Sequence, residues 1–170
     1  MNWLVDGYNV SRRDPELRGR EQESLEAGRA ALLRVLATAA RLTGDEFTVV
    51  FDGARREATA GSGGRVHVVF SRPPDSADDV LRRMAGAGTV VVSSDRAVSS
   101  AATRAGAVAV TAEDFVAALQ TSDVAADEDD AAEEPDRKRG NPRRASREAR
   151  SSRRALARLS SRLTGRGPIG

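Results

Sequence analysis

Five short apolar runs recur along the first 110 residues, and each is continuous rather than alternating. Residues 3–5 read WLV, 47–51 FTVVF, Val66–Phe70 VHVVF, Thr89–Val92 TVVV and 107–110 AVAV. A strand with one wet face alternates apolar and polar residues. A run without alternation is buried on both faces, which calls for a parallel sheet between two helix layers. Helical patterns fill the intervals. Residues 21–42 carry Leu25, Leu32, Leu33, Leu36 and Ala40 near helical spacing, and shorter helices are expected over 76–85, 96–104 and 113–119. The expectation is an α/β fold, a three-layer α/β/α sandwich with a mostly parallel sheet. Gly44 is expected to end the long helix. Gly28, inside that helix, suggests close packing against the sheet. Ser76 and Asp79 have the spacing of a capping box, and Thr111 is expected to cap the last helix. Residues 54–64 read as a Gly-rich loop. It precedes a strand rather than opening a helix, the wrong context for a phosphate-binding loop.

Charge divides the 170 residues into three parts. Residues 1–122 hold 15 Arg and 16 acids; 123–136 hold 8 acids and no base; 137–170 hold 12 bases and one acid, Glu148. Blocks of like charge do not build cores. The reading is a domain at 1–122, an acidic disordered linker at 123–136 and an Arg-rich tail at 137–170. Part of that tail is expected to be helical, since Leu156, Leu159 and Leu163 share one helix face. Three roles remain open for it: a solvated segment, an arm contacting RNA or the ribosome, and a partner neutralised by the linker.

Composition removes several classes. With no Cys there is no disulfide framework, zinc ribbon or thiol nucleophile. The one histidine, His67, excludes a multi-histidine metal centre, disfavours a Ser-His-Asp triad, and reads as a core or edge residue of its strand. No run of about 18 apolar residues and no secretory pattern at the start point to a cytoplasmic protein with no membrane span.

Acids stand where the strands end. Asp6, Asp52 and Asp95 follow the first, second and fourth runs, and Asp75, Asp78 and Asp79 surround the start of the helix after the third. Open parallel sheets bind ligands beyond the carboxyl ends of their strands. Carboxylates gathered there without His or Cys suit a hard cation, Mg²⁺ or Mn²⁺. Such cations activate water and stabilise the leaving oxygen of a phosphodiester. Each acid also has a plain structural use: Asp95 and Asp79 as helix caps, Asp6 and Asp52 as turn residues, Asp75 as a loop residue.

The run Leu4-Val5-Asp6-Gly7-Tyr8-Asn9-Val10 resembles the opening of the NYN domain, a PIN-like ribonuclease domain, and is most similar to its YacP-type bacterial branch. Thr43-Gly44-Asp45, Val49-Val50-Phe51-Asp52-Gly53, Val68-Val69-Phe70-Ser71 with Ser76-Ala77-Asp78-Asp79, and Val91-Val92-Ser93-Ser94-Asp95 extend the resemblance in order over residues 2–120. Two departures stand out: an extra serine before Asp95, and Asp78-Asp79 where the branch has Asp-Glu. The resemblance implies a metal-dependent endoribonuclease acting on single-stranded RNA. Branch members are similar to ribosome-associated mRNA endonucleases, so mRNA and the ribosome are the implied partners. Asp6, Asp78 and Asp95 take the places of metal-holding acids, with Mg²⁺ or Mn²⁺ as cofactor. Asn9 matches the asparagine that orients the first acid, and Asp52 matches a further rim acid.

Arg55, Arg56, Arg65 and Arg72, with Arg143, Arg144, Arg147, Arg150 and Arg154 of the tail, are expected to contact the RNA backbone. The alternative function is a catalytically inactive RNA- or ribosome-binding adaptor on the same fold. An Asp-based phosphatase or phosphoacceptor is disfavoured, because no Asp-x-Asp follows the first run and residues 1–122 hold no Lys.

Overall fold

All five apolar runs are strands of one parallel sheet. The computed structural model describes residues 1–53, 64–120 and 146–165. Strands β1 (Asn2–Asp6), β2 (Glu46–Phe51), β3 (Val66–Phe70), β4 (Thr89–Val92) and β5 (Val108–Val110) lie in the order β3-β2-β1-β4-β5. Every neighbouring pair is parallel. The central strand is β1, so Asp6 leaves the sheet at the middle of its carboxyl rim, between the ends of β2 and β4. Those neighbours end at Phe51 and Val92, which places Asp52 and the Ser93–Asp95 turn at the same rim.

Helices α1 (Gly7–Ser11), α2 (Pro15–Glu23), α3 (Leu25–Thr43), α4 (Ala77–Met84), α5 (Arg96–Arg104), α6 (Ala112–Gln120) and α7 (Arg147–Leu163) cover both faces. One core joins Trp3, Val5, Phe47, Val49 and Phe51 to Leu32, Leu36, Phe115 and Leu159. The other joins Leu4, Val50 and Val91 to Leu81 and Val98 of α4 and α5. Alternate residues of each strand feed opposite faces, which is why the runs had to be continuous. Among the described residues, no helix is long and apolar enough to cross a membrane.

The single helix expected over 21–42 is two helices. Ser24 breaks it, with φ −166° and ψ 153°, and caps α3 by accepting the Ala27 N–H at 3.0 Å. Gly28 follows from that corner rather than from the sheet. A Cβ there would lie 2.9 Å from Cα of Glu21, so glycine lets α2 fold back on α3. Helix α1 has too few residues to show a period and went unpredicted. Gly44 ends α3, the Ser76–Asp79 capping box is present, and Thr111 accepts the Asp114 N–H.

The expectation of an Arg-rich tail apart from the domain is corrected over residues 147–163. Helix α7 packs on the α3/α6 face, with Ala155 and Leu159 buried and Leu156 and Leu163 packed against the same core. Ser152 Oγ donates to the Ala109 carbonyl of edge strand β5 at 2.6 Å, occupying an acceptor on the otherwise open edge. Arg162 reaches Asp45 at the far side of the sheet (2.9 Å). The basic residues led the reading because charge was counted by segment. The small apolar stripe that decides docking is short but sufficient. The expected linker at 123–136 lies outside the described residues.

Candidate active site

Asp6 is the pivot. Its backbone ends β1, and its carboxylate caps α1 by accepting the Asn9 N–H on Oδ1 (3.2 Å). Gly7 must be glycine: a Cβ would lie 2.2 Å from Cε1 of the buried Phe51 ring. Only a residue without a side chain lets the chain turn there between β1 and the end of β2. Ser93 Oγ donates to Asp6 Oδ2 (3.0 Å) and accepts the Asp95 N–H (3.2 Å). Ser94 N–H donates to Asn9 Oδ1 (3.1 Å), fixing the amide so that its Nδ2 remains a donor. Ser94 Oγ donates in turn to Glu113, whose other oxygen pairs with Arg13 at 3.1 Å. Both serines before Asp95 are therefore used: the first holds the carboxylate, the second the amide.

Asp52 ties three elements together. Its Oδ1 accepts Ser71 Oγ (2.6 Å) and the Ala77 N–H (2.9 Å), joining β2, β3 and α4. Asp78 and Asp79 divide their work. Asp79 Oδ2 accepts the N–H and Oγ of Ser76, and those bonds hold its pKa below the ordinary carboxylate value. Asp78 is left to face the rim, with Arg82 at 3.8 Å. Asp95 caps α5, accepting the N–H groups of Ala97 (2.7 Å) and Val98 (3.0 Å) on one oxygen. Asp75 pairs with Arg83 at 2.6 Å, and His67 is exposed on edge strand β3.

Asp6, Asn9, Asp52 and Asp78 line one open pocket of about 900 Å³. The same pocket is lined by Tyr8, Arg12, Arg13, Arg18 and Glu21 from α1, α2 and the turn between them. Asp95 stands outside that lining but acts on it, since its charge raises the pKa of Asp78. Burial is the leading cause of the raised pKa of both Asp6 and Asp78. For Asp6, the bonds from Asn9 and Ser93 oppose it, while Asp78 and Asp52 add repulsion. Like-charge repulsion is present and secondary.

A hard divalent cation suits this donor set of carboxylates alone, two of them destabilised by burial and mutual repulsion. As the side chains stand, no three acids among the described residues are close enough to hold a metal ion. The donors therefore fit the cation in kind, and a closed set of three ligands is not formed.

Of the arginines expected on RNA, Arg72 is exposed two residues beyond β3, at the same rim. Arg65 is not: it precedes β3, donates to the Gly44 carbonyl (2.9 Å) and lies 3.9 Å from Glu46. In a parallel sheet the residue before a strand lies at the opposite end from Asp6, so Arg65 is corrected to the amino edge. Arg147, Arg150 and Arg154 form an exposed basic face on α7. Arg55, Arg56, Arg143 and Arg144 lie outside the described residues. Sequence reasoning missed Ser71, Ser93, Ser94, Arg12, Arg13 and Arg18. The serines were legible in principle, since each lies within two residues of a strand end at the rim where the acids stand.

The fold and rim define a PIN-like nuclease fold. A family model, the YacP-like NYN domain, matches residues 3–161, and the chain belongs to that family. The match runs through most of α7, in accord with its docking. The chain is 33% identical over 89 residues to the uncharacterized protein YacP of Bacillus subtilis (strain 168), covering 49% of this chain and about half, 51%, of that relative. Two crystal structures of Rae1 (YacP) from Bacillus subtilis are similar. One has TM-score 0.61 at 26% identity, covering 71% of this chain and 74% of that one. The other, a point mutant, has TM-score 0.58 at 27% identity, covering 71% and 75%.

Proposed function

We propose that this protein is a metal-dependent endoribonuclease that hydrolyses single-stranded RNA. The observation that carries the reading is the mixed lining of one pocket, in which Asp6, Asp52 and Asp78 share the cavity with Arg12, Arg13 and Arg18. Acids alone suit a cation and bases alone suit a polyanion; a phosphodiester cleaved with a cation's help needs both. Mg²⁺ or Mn²⁺ bound there would supply charge neutralisation and lower the pKa of the attacking water. Asp6 and Asp78 would hold the cation, with Asp95 completing the set and Asp52 beside it. Ser93 keeps Asp6 aimed, and the free Nδ2 of Asn9 is available to orient water or a phosphate oxygen. Arg12, Arg18 and Arg72 steer the RNA backbone past acids that would otherwise repel it.

The exposed Arg147, Arg150 and Arg154 support a second contact with structured RNA, and the proposed partner is mRNA on the ribosome. The adaptor reading is favoured by one observation, that no three acids among the described residues lie within metal-holding reach. One experiment separates the two. The purified chain is incubated with an end-labelled single-stranded RNA and Mg²⁺ or Mn²⁺, with chelator and Asp6→Asn controls. Cleavage that both controls abolish is expected. Tight RNA binding with no cleavage under either cation would make the protein an adaptor.

A further inference from the structure

Arg29 is a cation near the pocket to which the site described above gives no role. It lies on α3 one turn after Leu25, a pocket-lining residue, and positions i and i+4 share a helix face. Its guanidinium carbon stands 5.5 Å from the ring centre of Phe70 and 5.9 Å from those of Phe51 and Tyr8. The three rings form a shelf at the carboxyl ends of β1, β2 and β3: Phe51 stacks on Phe70 at 5.8 Å and meets Tyr8 edge-on at 5.2 Å. Tyr8 lines the pocket itself.

The shelf holds the cation without neutralising it. Among the described residues, Nε of Arg29 has no hydrogen-bond partner, and it has no contact with solvent. Among the described residues no carboxylate pairs with this guanidinium, whereas Arg12 lies 3.7 Å from Glu21 and Arg13 lies 3.1 Å from Glu113. Arg29 is half-buried, so the desolvation cost falls on its covered Nε. Ring faces near the roughly 6 Å limit of cation–π attraction return only about 0.5–2 kcal/mol. With Nε covered, it is the outer N–H groups of this half-buried guanidinium, held in place by the rings, that match the oxygens of a phosphate.

We propose that Arg29 anchors a backbone phosphate of single-stranded RNA beside the acidic rim. The inference rests on the reading of the pocket as a ribonuclease site. An anchor on this side sets the register of the strand: the acids repel every phosphate, so the one that settles is the one a fixed cation accepts. Arg29 binds substrate through a phosphate that flanks the cleaved bond.

The test is equilibrium binding of a fluorescent single-stranded oligoribonucleotide in chelator, using the full chain carrying Asp6→Asn so that no cleavage intervenes. Adding Arg29→Gln, which keeps a side chain able to lie on the rings, is expected to weaken binding about tenfold. It should also lower the slope of log Kd against log salt by about 0.7, the value for one lost phosphate contact on a single strand. Unchanged affinity and slope, in a variant that melts like its parent, would make Arg29 a structural pin and overturn the proposal. Absence of RNA binding by the parent at low salt overturns it as well. If Arg29→Gln does not fold, the Nε–H resonance of Arg29 in the parent replaces it. That resonance should shift on titration with the oligonucleotide, and an unmoved resonance overturns the proposal. Cleavage by the wild-type chain reads the other question independently. No cleavage with a persistent Arg29 effect sinks the nuclease and spares the anchor. Cleavage without an Arg29 effect does the reverse.

Discussion

Two buried aspartates stand at opposite ends of the sheet and have opposite surroundings. Asp45, at the amino edge, is 1% exposed and fully partnered. It accepts the Met1 amine (2.7 Å), Trp3 Nε1 (3.0 Å) and Arg162 (2.9 Å). Asp6, at the carboxyl rim, is 9% exposed and among the described residues accepts one backbone N–H and one hydroxyl, with two further carboxylates near enough to raise its pKa. The first carboxylate is neutralised within the chain and closes the structure. The second is held in position with no base paired to it among the described residues, as the proposed cation site requires. Burial alone does not mark a functional acid; what it is buried with does.

The comparison is broken most easily by Asp6→Asn. If Asp6 is functional, cleavage of a single-stranded RNA should fall about a thousandfold, the equivalent of roughly 4 kcal/mol of transition-state stabilisation, while far-ultraviolet circular dichroism stays unchanged. Residual activity near the wild-type level would remove Asp6 from the chemistry.

Asp45→Asn should do the opposite, costing about 3 kcal/mol in urea unfolding because it leaves Arg162 and the Met1 amine without their shared anion. A loss below roughly 1 kcal/mol would show that the amino edge is held by something else.

Leu159→Ala should cost roughly 2–3 kcal/mol in the same unfolding assay, since a fully buried methyl pair is lost from the α7 face. Truncation after residue 122 should destabilise the domain for the same reason, in addition to removing basic residues. A cut chain that melts like the full one would restore the picture of a separate tail.

The smallest effect is a pH dependence. Burial raises the pKa of Asp6 in the folded state, so its ionised form costs folding energy. That cost is absent where both states are protonated, grows as pH rises through the raised value, and is complete above it. In chelator, Asp6→Asn should therefore melt slightly above wild type at neutral pH, and the difference should vanish at about pH 3, below the ordinary Asp range. A variant less stable than wild type at pH 7 would make Asp6 mainly a helix cap.

The strands, their parallel order and the acids at their ends were legible because each depends on a few consecutive residues. An unbroken apolar run means two buried faces, and parallel strands bring their ends to one rim. Thus Asp6, Asp52 and Asp78 could be sought together before any coordinates. Contacts between distant segments were not legible in this way. Arg65 looked like a rim cation until the start of β3 was seen at the far edge. The Arg162–Asp45 pair joins residues 117 apart, and α7 docks through a short stripe of small and apolar residues inside a segment dominated by charge. The sequence alone determined the periodicities that make strands and helices and the placing of carboxylates after β1, β2 and β4. Only the tertiary structure decided which carboxylate would find a cation within the chain and which would be left without one, because pairing across a fold depends on which surfaces come together.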